Sequence, residues 1–268
     1  LAKLGQLDNP LSSCEKAYEQ LEPWIQWPSV HTGKTYDEHQ VFRLGDAVNY
    51  KGRQLFEEIE SRGYSVGSML AMNAANRLKK PAFFIPDPWI DTPADGNFVS
   101  RGVSQALSQT VNDNTSGKVT ARSALNLALA SIVLISPRRY FWFVRKLLWA
   151  FGKPWRKAMF LDLLLGEYFA SLVERKKPEF STVFLNAGAH IQHHFMLSSS
   201  ILTDTAFRNP DWSIESDADP LLEVYQQYDE ILGRLNRLPN TRYIIATGLS
   251  QKPYDKPVFY YRLAEHAS

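Results

Sequence analysis

The hydrophobic and polar positions in the first third of the chain alternate between the period of a helix and that of buried strands. Residues 52–62 have apolar side chains on one helical face, at Leu55, Phe56 and Ile59. Gly63 follows, and glycine commonly ends helices in the left-handed conformation. Residues 64–72 and 83–85 are small or apolar, which indicates strands buried on both faces. This order predicts an α/β protein with a mostly parallel sheet flanked by helices.

The middle of the chain has a different pattern. Residues 92–118 are polar and rich in Gly, Asn and Ser, which predicts a long surface loop. Residues 119–177 have a helical pattern and are both apolar and basic, so we expect a helical insert that caps the sheet. The apolar run 124–135 is too short to span a bilayer, and Pro137 ends it.

Basic and aromatic residues are mixed over 138–157, and two interpretations fit this composition. A segment that lies on a membrane surface has this mixture. A helical cap has it too, when aromatic rings pack on the sheet and basic side chains reach water. We favour the cap because Pro137 and Pro154 interrupt any long amphipathic helix. Four side chains are then expected to pack on the protein or on a second copy: Trp142, Phe143, Leu147 and Leu148.

The α/β pattern returns after Pro178. Residues 182–185 read as a buried strand, and residues 242–246 as a further strand with its exit loop over 247–251. Between them, Asp219-Pro220 is typical of an N-cap and first helical position. The apolar positions that follow have helical spacing up to Pro239. The sequence therefore predicts one more helix and two more strands of the same sheet.

Length and composition indicate an ordinary globular protein. The chain has 268 residues, of which 44% are hydrophobic and 22% charged. We therefore expect a single α/β domain over residues 1–268, with 119–177 as its insert. The net charge of +2 gives no global attraction to nucleic acid, so no nucleic-acid partner is expected. The oligomeric state stays open.

The cysteine count and the chain start bear on location. Cys14 is the only cysteine, which excludes an intrachain disulfide framework. No signal peptide is visible at the start, so we expect a cytoplasmic protein. The first residue is Leu1 rather than methionine, and we expect either a processed chain or a fragment of a longer one.

Five of the six histidines lie in two short stretches. His31 and His39 belong to the first, and the second follows a predicted strand with His190, His193 and His194. Imidazole is a common metal ligand, and parallel sheets bind ligands at the carboxyl ends of their strands. We therefore expect one shared site, with the second stretch as metal ligands. The alternative is a set of histidines with ordinary hydrogen bonds.

Hydroxyl and amide side chains accompany these histidines. Ser29 and Thr32 flank His31, and together with His39 they form the candidate catalytic set. The candidate ligand-binding residues are Gln26, Gln192 and Thr247.

The order of these segments resembles the alkaline-phosphatase superfamily, in particular its type I phosphodiesterase and nucleotide pyrophosphatase branch. Residues 29–33 and 38–41 are similar to that family's Thr-Gly and His-containing turns. Residues 189–193 resemble its Asp-His-x-x-His metal loop, and residues 246–249 align with its Ser-Asp-His-Gly metal loop. The resemblance covers residues 20–75 and 180–250.

This resemblance implies a fold and a substrate class. The fold would be alkaline-phosphatase-like, and the ligand a small phosphate or sulfate ester or a polymer of such esters. Pro23 stands at the position of the family's nucleophile, and Ala189, Thr247 and Gly248 stand at metal-ligand positions. We therefore expect a hydrolase-fold protein whose zinc centre is altered or lost. Two alternatives remain: a non-catalytic binding module of the same fold, and a membrane-surface protein that uses the aromatic-basic insert.

Overall fold

The computed structural model describes residues 15, 17–112, 119–202, 207–247, 251 and 253. Within these residues the chain forms helices and three strands, and the helices flank the strands. The elements are α1 (Pro23–Thr32), α2 (Tyr36–His39), α3 (Leu55–Ser61), β1 (Val66–Met69), β2 (Phe83–Ile85), α4 (Phe98–Asn112), α5 (Ala121–Leu134), α6 (Tyr140–Phe151), α7 (Arg156–Lys176), β3 (Phe180–Val183), α8 (Ala187–Phe195) and α9 (Pro220–Leu235).

The three strands form a parallel sheet in the order β2-β1-β3. In the central strand, Gly67 lies opposite Phe83 of β2. A Cβ atom at Gly67 would lie 2.4 Å from the Phe83 ring, so only glycine allows that ring to pack on the strand. The predicted α/β class, with a mostly parallel sheet flanked by helices, is confirmed for the described residues. The predicted sequence of helix, Gly63 and two buried strands is confirmed as well.

The main core lies between the sheet and a layer of helices built around α7. Twelve of the 21 residues of α7 are buried, and the helix contacts α5, α6, α8, α9 and β3. A helix that is apolar around most of its circumference is stable only when other elements surround it. Its Tyr168 hydroxyl donates to the Leu127 carbonyl of α5 over 2.9 Å, which satisfies a polar group inside the core. The helices predicted over 119–177 are therefore present.

The predicted surface loop over 92–118 is confirmed for residues 92–97, is wrong for residues 98–112, which form α4, and for residues 113–118 lies outside the described part of the chain. The helix starts where the Asp95 carboxylate accepts from the Asn97 amide over 2.7 Å and the Asn97 side chain accepts from Val99 over 2.8 Å. Such side chains stabilise the first turn of a helix. Four residues at helical spacing are buried: Val99, Val103, Ala106 and Leu107. Most polar residues of α4 are exposed or half-buried, whereas Ser100 is buried and donates to the Asp95 carboxylate over 2.9 Å.

The strands predicted after α7 need two corrections. β3 covers residues 180–183 rather than 182–185, and it is half-buried rather than buried because β1 pairs with only one of its edges. Residues 242–246 do not form a strand, and Ile244 is 96% exposed. The Tyr243 hydroxyl donates to the Leu235 carbonyl at the end of α9. A strand requires a neighbouring ladder of backbone hydrogen bonds, and this segment has none among the described residues.

Helices α5 and α6 form a sharply bent pair. Pro137 begins a 3-10 turn over Pro137–Arg139 that separates them, and the two segments differ in direction by 118°. Among the described residues, no single helix is long and apolar enough to cross a membrane, although this bent pair passes such a test of length and composition jointly. Four side chains were expected to pack on the protein or on a second copy. Phe143 is buried and Trp142 is half-buried against the main core, whereas Leu147 and Leu148 are exposed in this chain and their packing on a second copy stays a prediction.

Candidate functional site

Helix α1 lies over the carboxyl ends of two neighbouring strands. Its His31 Nε2 donates to the Met72 carbonyl over 3.1 Å, in the segment that leaves β1. Its Trp27 ring meets Phe184, directly after β3, edge to face with centroids 5.3 Å apart. Helix α1 carries Ser29, His31 and Thr32 of the predicted catalytic set. It is therefore at the sheet edge where open parallel sheets bind their ligands.

His31 is nevertheless a buried structural group. Its ring stacks on Trp27 at 5.9 Å and packs against Phe56 at 5.3 Å. Burial lowers the pKa of His31 to about 4, against the opposing effect of the Met72 hydrogen bond. The imidazole is therefore uncharged near neutral pH, and because a carbonyl only accepts, its proton is on Nε2. His31 acts as a fixed donor and not as a general base.

Ser29 and His39 form a hydrogen-bonded chain that ends on Glu15. His39 Nδ1 accepts from the Val41 amide over 3.0 Å, so the proton of the neutral ring is on Nε2. That Nε2–H group lies 3.0 Å from Ser29 Oγ and donates to it. Ser29 in turn donates to a Glu15 carboxylate oxygen over 3.0 Å. In this geometry the hydroxyl proton points at the carboxylate, and the imidazole is not positioned to remove it.

Glu15 holds the start of α1 and α2 together. Its carboxylate also accepts from Gln26 Nε2 and from the Tyr36 amide, each over 2.9 Å. Burial opposes ionisation of Glu15, but hydrogen bonds from Gln26, Tyr36 and Ser29 outweigh it and lower its pKa. No sequence pattern indicates a role for Glu15, since a single carboxylate in an N-terminal segment has no diagnostic spacing. Gln26, a predicted ligand-binding residue, is engaged by this carboxylate.

Thr32 and the cavity beside His39 complete this end of the site. The Thr32 hydroxyl donates to the Pro28 carbonyl over 2.7 Å, a local bond one helical turn back. Burial lowers the pKa of His39, although Glu15 and Glu38 act in the opposite direction. A cavity of about 610 Å³ lies beside His39. Its charged lining residues are balanced in sign: Lys34, Lys51, Glu38 and Asp46.

The second histidine group lies on α8, which follows β3 at the same sheet edge. The buried Asp162 carboxylate of α7 accepts from the Ala187 amide over 2.7 Å and from the Asn186 amide over 3.3 Å. The Tyr228 hydroxyl of α9 donates to Asp162 over 3.0 Å. Burial raises the pKa of Asp162 to about 6, against these three hydrogen bonds. Asp162 therefore fixes where α8 begins and which way its histidines face.

The histidines of α8 are exposed and close to one another. The His190 and His194 rings lie 4.8 Å apart, as expected for residues one helical turn apart. Burial, together with the neighbouring imidazoles, lowers the pKa of His190, and burial with His193 lowers that of His194. His193 Nε2 lies 3.3 Å from Gln251 Nε2. That contact joins α8 to the segment that follows Thr247.

The donor set does not fit the two-zinc centre that the resemblance implies. Among the described residues, no group of three or more His, Cys, Asp or Glu side chains lies close enough together to hold a metal ion. Ala189 has no ligating atom, and Thr247 is an exposed hydroxyl in place of a carboxylate. Gln192 donates to the Tyr225 hydroxyl over 3.1 Å and is thereby fixed on the face toward α9.

Two clusters are therefore present: one lies around α1, whose His31 and Trp27 contact the segments that leave β1 and β3, and the other lies on α8, which follows β3. The first joins Ser29, His39 and Glu15, and the second joins His190 with His194, and His193 with Gln251. That a single ligand contacts both clusters stays a prediction. Comparison with protein-family models, with curated proteins and with solved structures found no match to this chain, so the function has to be inferred from the site itself.

Proposed function

We propose that this protein binds an anionic phosphate or sulfate ester, or a polymer that carries such esters, at the α8 end of an alkaline-phosphatase-like fold. The single observation that carries the proposal is the contact between His193 and Gln251, which are 58 residues apart in the chain. The resemblance aligns residues 189–193 and 246–249 with two loops of one metal centre. The contact of His193 with Gln251, two residues beyond the second of these segments, supports that alignment, because nothing in the local sequence requires it.

The chemistry of α8 suits an anion or a single metal ion better than a two-metal centre. His190 and His194 have lowered pKa values and are mostly uncharged at pH 7. Each neutral imidazole has one N–H group, which donates to an ester oxygen, and one unprotonated nitrogen, which binds a metal ion. A two-metal reaction needs ligands for both metals, and Ala189 supplies none.

Binding, rather than rapid hydrolysis, is the function that the first cluster supports. Ser29 receives a hydrogen bond from His39 and donates to Glu15, whose lowered pKa makes it a weak base. A nucleophilic serine needs a base near neutral pKa to take its proton. The protein is thus a hydrolase-fold ester-binding protein with an altered metal centre, in which any turnover is slow.

Calorimetric titration with a nitrophenyl phosphodiester tests this proposal, with and without added zinc. We expect saturable binding of the ester, and fewer than two equivalents of zinc by elemental analysis after purification without chelator. The double variant His190→Ala/His193→Ala is expected to weaken ester binding about tenfold or more, since two donors to an anion are lost. The control is Asn236→Ala, an exposed amide after α9.

Two results would contradict the proposal. Equal ester affinity in the double variant and in wild type would remove α8 from the binding site. Two equivalents of tightly held zinc would mean that the alignment of residues 189–193 and 246–249 with the family's metal loops is wrong.

A further inference from the structure

The bent pair α5–α6 exposes an apolar stripe along each helix. On α6, Phe141, Leu148 and Phe151 are 75%, 67% and 71% exposed. The full set, here called the hairpin surface, consists of Leu125, Leu129, Ile132, Val133, Phe141, Val144, Leu148 and Phe151. Their spacing of three, four and seven residues aligns them on one face of each helix. Exposed apolar side chains grouped in this way are typical of an interaction surface.

The segment that carries this surface has basic residues and no acidic ones. Residues 114–161 contain no Asp or Glu, although the whole chain has 28 acidic residues. The same 48 positions carry nine basic residues: Lys118, Arg122, Arg138, Arg139, Arg145, Lys146, Lys153, Arg156 and Lys157. Glutamates of other segments pair with four of these basic residues: Arg139, Lys146, Lys153 and Arg156. An apolar face on a segment with an excess of basic residues is complementary to a surface that is apolar inside and anionic outside.

An arginine-lined groove of about 500 Å³ opens at the α6 end of the bend. Part of its charge is internally balanced. The buried Glu167 carboxylate pairs with Arg139 and, over 3.3 Å, with Arg234. Arg234 also pairs with Glu174 over 2.9 Å, outside the groove lining. Lys146 pairs with Glu230 over 2.8 Å. Arg139, Arg234 and Lys146 therefore pair with three carboxylates, those of Glu167, Glu174 and Glu230.

Two guanidinium groups of the groove remain without a carboxylate. Arg138 is exposed in the turn before α6, and the Arg237 Nε donates to the Gly233 carbonyl over 3.1 Å. In the part of the chain that the structure describes, neither forms an ion pair with a side chain. Guanidinium groups bind phosphate oxygens in a fixed two-donor geometry, and Trp142 supplies an apolar wall beside them.

We propose that the hairpin surface docks on an anionic phospholipid bilayer, with its apolar side chains among the acyl chains and Arg138 and Arg237 on lipid phosphates. A second copy of this chain is a poorer occupant. A symmetric contact brings identical patches together, so cationic groups would face their own equivalents. Lipid phosphates instead supply the missing negative charge. The inference stands apart from ester binding at α8.

Co-sedimentation of the full chain with vesicles tests the docking. We expect binding to phosphatidylcholine vesicles that contain phosphatidylglycerol, weak binding to phosphatidylcholine alone, and a steep loss as salt is raised. The variant Phe141→Ser/Leu148→Ser is expected to lose about tenfold or more in vesicle affinity, since two inserted apolar side chains are removed. Its control is Trp212→Ser, which removes an 83% exposed side chain outside the hairpin.

A second arm tests the groove. Arg138→Gln/Arg237→Gln is expected to reduce binding to the anionic vesicles severalfold, whereas Arg101→Gln/Arg175→Gln removes equal charge from exposed positions elsewhere and leaves most binding intact. Titration with inorganic phosphate distinguishes a lipid phosphate from a free one. Phosphate binding that is lost in the groove variant while vesicle binding is retained would overturn the lipid assignment of the groove.

Sedimentation velocity of the same variants decides between a bilayer and a second copy. We expect a monomer in solution both for wild type and for Phe141→Ser/Leu148→Ser. A wild-type dimer that dissociates in this variant, with no vesicle binding by either protein, would overturn the proposal in favour of self-association. Equal binding to neutral and anionic vesicles would overturn the role given to the basic residues.

Discussion

His31 and His39 are both buried, and a backbone group determines which ring nitrogen of each carries the proton. The Met72 carbonyl requires a proton on His31 Nε2, and the Val41 amide leaves His39 Nδ1 without one. The sequence predicted histidine chemistry at these positions from residue type alone. The direction in which each ring donates depends on backbone groups 41 and 2 residues away, and no spacing rule contains that information.

The buried His31 makes the protein sensitive to acid. Its pKa is about 4 when folded and near 6.5 when unfolded, so the unfolded chain binds more protons below pH 6.5. Its contribution to stability is complete above pH 6.5 and is lost as the pH falls toward 4. We expect the loss between pH 7 and pH 5 to be about 2 kcal/mol.

Urea unfolding at both pH values measures this loss. His31→Gln keeps an N–H donor for the Met72 carbonyl but does not titrate, so its stability should fall less between the two pH values than that of wild type. An identical fall in the variant and in wild type would mean that His31 ionises in the folded protein.

Ser29 gives a second residue-level prediction. Ser29→Ala removes the bonds to His39 and Glu15, and we expect a loss of about 1 kcal/mol in the free energy of unfolding. The slow hydrolysis of a nitrophenyl phosphodiester should be unchanged, because no base is aimed at this hydroxyl. Thr32→Ala is the matched control, since the Thr32 hydroxyl bonds only locally, to the Pro28 carbonyl of its own helix and the Lys34 amide that follows it. Robust hydrolysis that disappears in Ser29→Ala would identify Ser29 as the nucleophile.

At the scale of elements, α8 is defined by groups from two other helices. Asp162 of α7 accepts hydrogen bonds from the first amides of α8. The Tyr228 hydroxyl of α9 donates to Asp162 and accepts from the Gly188 amide over 2.6 Å. These bonds occupy backbone donors that have no partner within the helix. The orientation of the exposed histidines on α8 is thus set by side chains 25 to 40 residues away.

Asp162→Ala tests this arrangement. The change leaves two backbone amides and the Tyr228 hydroxyl without their acceptor, and we expect a loss of about 3 kcal/mol. The His190 and His194 resonances in an NMR spectrum should shift as well, because the start of α8 is no longer held. Asp217→Ala, at an exposed position before α9, is the control and should change neither property. Unchanged histidine resonances in a destabilised Asp162→Ala would limit Asp162 to a general packing role.

At the scale of the whole molecule, the sequence was most informative where structure is decided locally. Leu55, Phe56 and Ile59 with Gly63 identify α3 and its end, and Asp219-Pro220 identifies the start of α9. Local signals also existed for α4, since Val99, Val103 and Leu107 have helical spacing. The polar composition of that segment concealed them, because composition reports exposure and not periodicity.

Long-range structure was less accessible to sequence reasoning. Residues 242–246 are apolar and β-branched enough for a strand, but a strand depends on a free neighbouring edge that no local pattern reveals. The same limit applies to the site. The importance of Glu15 follows only from the meeting of α1 and α2, and that of Gln251 from a contact 58 residues away.

The strand order β2-β1-β3 has a consequence for synthesis of the chain. β1 pairs with β2 soon after both are made, but its other edge pairs with β3 across a separation of 114 residues. A ribosome needs on the order of 10 s to translate that interval. During this time one edge of β1 presents unpaired amide and carbonyl groups, the usual starting point for aggregation. The nascent chain therefore passes through an interval in which this edge of β1 is open to pairing with other chains.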